Sequence, residues 1–509
     1  MNKILKNAGS LILLSTIMLA SCNKFDEINT NPNATEKVNS SLLATKVILQ
    51  DLEFQGRDAK AYLSDNGLSK YIAYGNETML SSQYNYLGST DFSAMTILPN
   101  INSMVTYASG SSMENSYKGL AAFCRAFMFY YQTMEVGDIP YSASGLGASG
   151  STKVKYDTQE DVFKGILDEL KEADGYFANG AKFDGDPTPY NGVPDKWRRA
   201  TNSFALKVLM TLSNKASDAN LNIKGRFADI VNSNELLEPG TGFLGLNYSA
   251  TDPHPLSGTN DLFTSRTIIS HLVLNNLKML DDRRLFYFAD PAKSKIADGA
   301  DASDTAAYVG ANVGDDYNTI TANLVDDQYS LLNSRYLHVQ AGDPRIMVSY
   351  AEQQLILSEA SILGWITTGD AESYYESGVK AALANYLPVD PSYVHNMPIT
   401  QSYINNYFTG EAAFKSDPAE ELKQIWLQRY FLEFMQDPIS AFFEQRRTGY
   451  PEFPINPATS LNVNDKNAIP VRWLYPSSEL NHNKENLIDA LNRQYGGVDE
   501  INNKMWLLK

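Results

Sequence analysis

The chain has 509 residues, 43% hydrophobic and 20% charged, the balance of an ordinary globular protein. Its 59 acidic residues outnumber its 42 lysines and arginines, for a formal charge of −17. That excess excludes nucleic acid and anionic headgroups as charge-held partners, because both call for clustered lysine and arginine.

Lys3 and Lys6 precede an apolar run from Leu11 to Ala20, interrupted by Ser15 and Thr16. The run suits a signal-peptide core and is shorter than the roughly 20 apolar residues of a spanning helix. Leu19-Ala20-Ser21-Cys22 resembles the bacterial lipobox, in which the thiol is alkylated by a diacylglycerol and the chain is cut just before it. This implies a signal peptide at residues 1–21 and lipidation at Cys22, each buried CH₂ of the anchor contributing about 0.8 kcal/mol. Lys24, Asp26 and Glu27 resemble the basic-then-acidic tag of lipoproteins sent to the outer face of the outer membrane. Residues 22–41 are polar and turn-rich and read as a tether. With Cys22 lipidated, Cys124 has no partner and is expected as a buried small hydrophobe in a fold without disulfides.

The first helix is expected from Leu42 to Leu52, with Ser40 and Ser41 available for capping. Tyr71 to Thr90 interleaves Tyr with Asn, Gln, Ser and Gly, which makes a poor core and a suitable binding surface. Met113 to Val136 carries apolar residues mainly three and four apart and ends at Gly137. Thr158 and Asp161 resemble a capping box for the next helix, which is expected to stop near Gly175. A third helix runs from Lys196 to about Asn214. Residues 215–345 are rich in Gly, Asn, Asp and Ser, with one clear helical segment, Thr267 to Leu280. Two further helices, Ile346 to Leu363 and Ala371 to Tyr386, form a hairpin. In the second, Ala371, Tyr375 and Gly378 have the small-aromatic-small spacing of a tetratricopeptide helix. Asp417-Pro418 and Asp437-Pro438 each open a helix, the last ending at Gly449. No low-complexity linker divides residues 42–509. They read as one mainly α body, a tetratricopeptide-like helix-pair scaffold at about 42–214 and 346–450 with a loop-rich insertion at 215–345.

Catalytic signatures are lacking. The five histidines are scattered, and no HExxH, CxxC or GxSxG is present, so no metal, cofactor or catalytic residue is assigned. The aspartate pairs at 281–282, 315–316 and 326–327 read as solvated turns. Gly145-Leu146-Gly147-Ala148-Ser149-Gly150 spells the dinucleotide fingerprint. That motif needs a helix opening at its glycines, and here the cap falls eight residues beyond, so the hexapeptide reads as a loop.

Several further segments carry a family likeness. They are Phe25 to Pro32, Gly137-Asp138-Ile139-Pro140-Tyr141, Lys196-Trp197-Arg198-Arg199-Ala200, Tyr350-Ala351-Glu352 with Glu359-Ala360, Arg446 to Pro451, and Arg472 with Tyr475-Pro476. In this order and spacing the chain resembles the SusD/RagB family of nutrient-binding outer-membrane lipoproteins, and more narrowly its SusD-like branch. The resemblance implies a non-enzymatic surface protein that docks over a SusC-like TonB-dependent transporter and passes it a ligand. An oligosaccharide is the leading expectation. A peptide ligand, a surface glycoside hydrolase and a pure protein adaptor are the alternatives. Sugars present C–H faces ringed by hydroxyls, which flat rings and amides recognise. The candidate contacts are therefore Tyr74, Asn76, Tyr84, Asn85 and Tyr86 from the early tract, with Tyr317, Tyr329 and Tyr336 from the insertion. Trp197, Trp426 and Trp473 are expected in the core.

Overall fold

Several helices begin where a side-chain acceptor precedes an apolar stripe. The computed structural model describes residues 38–54, 59–75, 80–145, 153–258 and 264–509. The expected signal peptide, Cys22 and most of the tether lie outside these, as do Asn76 and Leu146 to Gly150 of the glycine-rich hexapeptide. Helix α1 (Ser40–Leu52) starts at Asn39, whose Oδ1 accepts the Leu42 N–H at 3.0 Å. Ser40 and Ser41, expected as caps, lie within the first turn, and Ser41 bonds to the Asn39 side chain. Then come α2 (Ala59–Leu68), strand β1 (Ile72–Tyr74), α3 (Leu98–Ala108) and α4 (Glu114–Val136). Thr158 caps α5 (Gln159–Ala178) by accepting the Asp161 N–H; the helix runs past Gly175 to Ala178. Next are α6 (Pro194–Thr211) and α7 (Ile223–Asn232). Helix α5 packs against both α4 and α6.

The insertion is more ordered than its composition suggests. It holds α7, β2 (Phe243–Leu246), β3 (Thr267–Ile269), α8 (His271–Met279) and α9 (Tyr317–Val325). Thr267 to Ile269, expected as helix, pairs antiparallel with β1, and the helix starts only after Ser270, whose hydroxyl caps it. Likewise Ile346 to Ser349 belongs to β4 (Arg345–Ser349), paired antiparallel with β2, and α10 (Tyr350–Ile362) follows with Ser349 as its cap. Short apolar runs fit either state, and here a partner strand decides.

Helix α11 (Ala371–Ala384), capped by Asp370, packs on α10. Tyr375 is fully buried, and a Cβ on Gly378 would stand 2.9 Å from Leu355 Cγ and 3.0 Å from the Ala351 carbonyl oxygen. The small residue lets the two helices approach while the ring fills the space beside it. Helices α12 (Pro418–Glu433) and α13 (Pro438–Thr448) follow. Asp417 caps α12, but the Asp437 carboxylate instead accepts from the Tyr131 and Ser440 hydroxyls. Gly449, at φ 74°, closes α13, which is not the last helix: α14 (Lys484–Tyr495) returns beneath Gly137, and Arg493 bonds to Asp138.

Most buried apolar residues join one continuous cluster, crossed by a line of buried charge. Lys207, Arg429 and Arg447 meet Glu352, Glu359, Glu433, Asp437 and Glu444, with Arg447 within 2.7 Å of both Glu359 and Glu444. Burial raises Glu433 well above the usual carboxylate range although Lys207 pulls it down. The Tyr350-Ala351-Glu352, Glu359-Ala360 and Arg446-Arg447 motifs thus tie α10, α12 and α13 together through charges buried in pairs. Trp197 is fully buried and its indole N–H donates to Asp186 at 2.8 Å. Cys124 is a buried free thiol.

Candidate functional site

Two segments far apart in sequence form one groove beside α2. Helix α2 supplies the floor with Ser64, Asp65 and Leu68. Gly67 lets the next segment close on it, since a Cβ there would stand 2.6 Å from Leu80 Cδ2 and 3.2 Å from Ser82 Oγ. A tight 3₁₀ turn at Ser81–Tyr84 follows, held from inside by Lys70. The Lys70 Nζ donates to the Gln83 carbonyl at 2.5 Å and to Asn85 Oδ1 at 2.7 Å, and burial brings its pKa down to about 7. Gln83 in turn accepts the Tyr74 N–H and donates to the Val313 carbonyl, fixing the turn to β1 and the insertion. Asn85 takes a left-handed conformation, φ 63°, and Tyr86 emerges with 53% of its surface exposed.

A further part of the wall comes from the C-terminal region. The Leu474 N–H donates to the Gly88 carbonyl at 3.1 Å, the Thr90 N–H to the Leu474 carbonyl at 2.9 Å, and the Trp473 N–H to the Glu135 carbonyl at 2.9 Å. Trp473 packs edge-on to Phe442 at 5.7 Å between centroids and lines the groove, so this tryptophan, expected in the core, is only partly covered. The groove encloses about 540 Å³, and Tyr86, Trp473, Ser64, Asp65, Ser82 and Lys60 are among its walls. The Asp65 carboxyl has no hydrogen-bond partner among the described residues. Burial pushes its pKa up to about 7 while Arg345 pulls it down. Behind Trp473, burial likewise raises Glu135 to about 7, opposed by a bond from the Thr90 hydroxyl and assisted by the charge of Asp65. A groove lined by a partly solvated ring, an indole, a carboxyl and two hydroxyls can hold a polar ligand with flat apolar faces.

Of the residues expected to contact ligand, Tyr86 lines the groove. Tyr84 and Asn85 are buried behind it. The Tyr84 hydroxyl donates to the Asp315 carbonyl at 3.0 Å, and burial together with Asp316, Asp315 and Tyr317 raises its pKa to about 12. These two residues support the turn and offer no surface to a ligand. Tyr74 is buried in β1. Tyr336 is buried far along the chain, its hydroxyl donating to Asp343 and accepting from Arg335. Neither Tyr74 nor Tyr336 faces solvent, because neighbouring elements cover both rings. Tyr317, at the start of α9, and Tyr329 are partly exposed; Tyr329 packs on the small cluster around Ala73, Ile268 and Ile320 and accepts from Asn323. Trp473, Asp65 and Ser64 were missed. The pairing of residues 88–90 with 474 brings in Trp473, and the packing of Leu80 and Ser82 on Gly67 brings in Ser64 and Asp65; nothing local in sequence signals either contact.

No helix among the described residues is long and apolar enough to cross a membrane, and no cluster of three or more His, Cys, Asp or Glu among them could hold a metal ion. Residues 32–476 match the SusD-like family model described as starch-binding and associating with the outer membrane. A SusD homolog from Bacteroides fragilis is similar in structure, with 39% identity, a TM-score of 0.88, and 93% of this chain and 100% of that chain covered. A second SusD homolog from the same species has 30% identity and a TM-score of 0.80 at the same coverage. An outer membrane protein from Bacteroides vulgatus, described in terms of nutrient binding, has 29% identity, a TM-score of 0.82 and the same coverage. No curated protein matches the chain.

Proposed function

The chain belongs to the SusD-like family of starch-binding, outer-membrane-associated proteins, and on that premise we propose that it is a surface lipoprotein, acylated at Cys22, which captures an oligosaccharide and delivers it to a SusC-like TonB-dependent transporter. One observation carries the ligand class: exposed Tyr86 and partly covered Trp473 line one groove together with Ser64, Asp65 and Ser82. Rings cover the C–H faces of a sugar while the acceptors beneath take its hydroxyl protons. Tyr317, partly exposed beside the Tyr84 turn, is a second contact for a longer glycan, and Tyr329 a third. The charge excess keeps a tethered body soluble and sets it apart from anionic surfaces.

The test is a carbohydrate and peptide array probed with purified protein, followed by calorimetry and product analysis of each hit. Oligosaccharide binding without turnover supports the proposal. Binding of peptides alone, or cleavage of the bound glycan, replaces it with one of the other two classes. Metabolic labelling with a fatty acid, lost in Cys22→Ala, tests the anchor.

A further inference from the structure

The donor and acceptor inventory of the groove is lopsided. The Ser82 hydroxyl donates to the Ser64 carbonyl at 2.6 Å, and the Ser64 hydroxyl donates to Ser82 Oγ at 3.2 Å. Both protons are spent inside the protein, so these side chains turn lone pairs to a ligand. The Asp65 carboxyl beside them has no hydrogen-bond partner among the described residues and is an acceptor whenever ionised. Lys60 and Tyr86, both exposed, line the same groove. The nearest guanidinium to Asp65 is that of Arg345, which lies over the Phe54 ring, its Nε donating to Met347 Sδ, and does not line the groove.

We infer that the groove selects glycans by charge: Asp65 favours neutral or amino-bearing sugars and turns away sugars that carry uronate groups. The inference rests on the glycan reading above and adds the ligand class to it. A sugar hydroxyl or ammonium donates to the acceptors on the floor. The carboxylate of a uronate brings only further acceptors and meets Asp65 as a like charge in a partly desolvated site, where such repulsion is strong. Glu135 adds to the negative field from behind Trp473.

The discrimination depends on pH, because the Asp65 carboxyl titrates near neutrality. The groups that set its charge are Arg345, which favours ionisation, and Asp437, which opposes it; Lys60 and Glu135 are the other charges at the groove. Asp65 gains its charge as pH rises from 6 to 8, so rejection of uronates strengthens over that interval.

The experiment compares maltotetraose, chitotetraose, the glucosamine tetramer and tetragalacturonate by calorimetry with intact protein at pH 6 and pH 8. At pH 8 tetragalacturonate is expected to bind at least about tenfold more weakly than the best neutral or amino-bearing tetramer. Asp65→Asn narrows that gap and flattens its pH dependence to the smaller part due to Glu135, and Lys60→Ala widens it; matched melting temperatures exclude unfolding. Tight binding of tetragalacturonate to the native protein, or a gap unchanged in Asp65→Asn, overturns the inference while leaving glycan binding intact. Failure of all four tetramers to bind overturns it together with the glycan reading.

Discussion

Tyr86→Ala removes the one ring of the early tract that faces solvent. Slightly more than half of that residue, 53%, is exposed, and an aromatic side chain has roughly 150–250 Å² to bury. A sugar laid on the ring covers about 100 Å² of it, which at about 25 cal/mol per Å² is worth about 2–2.5 kcal/mol. Affinity should therefore fall roughly 30- to 70-fold. Stability should move by no more than about 0.5 kcal/mol, as for other surface substitutions. The paired control is Tyr84→Ala two residues earlier. That ring is buried and its hydroxyl holds the Asp315 carbonyl, so truncation should cost about 3–5 kcal/mol of stability. Calorimetric titration with the tightest array glycan and urea unfolding, run on both variants, separate the two roles. Undiminished binding in Tyr86→Ala, or equal destabilisation by both changes, would refute the reasoning.

Other consequences follow from the scaffold. Arg447→Met leaves Arg429 as the one arginine still paired with buried Glu359 and Glu444 and should cost about 3–5 kcal/mol in urea unfolding; a native midpoint would show that the ion network is not structural. Although burial opposes it, Arg429 and Arg447 hold the Glu444 carboxyl down to about 2. Its folded pKa lies below the unfolded value, so its contribution is present above about pH 4.3 and is lost as pH falls towards 2. Acid unfolding followed by circular dichroism should accordingly be flatter across that window in Glu444→Gln than in the native protein. Gly378→Leu forces a side chain against Leu355 and the Ala351 carbonyl and should destabilise by about 1–3 kcal/mol; a neutral result in a thermal melt would mean that α10 and α11 do not need their close approach.

Much of the scaffold was legible because its signals are local. Thr158, Asp370 and Asp417 each present an acceptor to the first turn of the helix they precede, and Gly378 with Tyr375 marks a close helix contact. Thr267 to Ile269 and Ile346 to Ser349 differ from the expectation because strand partners, not local signals, decide them. Ile346 to Ser349 is apolar enough for either state, and only pairing with Phe243 to Leu246 makes it a strand. Asp437-Pro438 does open α13, while the Asp437 carboxylate faces Tyr131 and the buried charges. The site was harder still. Tyr84 and Tyr86 are alike in sequence and differ by a left-handed Asn85 between them and by the buried amine of Lys70. Tyr336 looks like a loop aromatic until Arg335 and Asp343 are seen to enclose it. The role of Trp473 depends on a bridge to residues near the other end of the chain.

The most direct measurement is a crystal structure of the protein with the oligosaccharide that binds best on the array. A sugar ring lying between Tyr86 and Trp473, with a hydroxyl directed at Asp65, is the predicted result. A glycan bound on another face with this groove left to solvent, or no glycan retained at all, would contradict capture at this site.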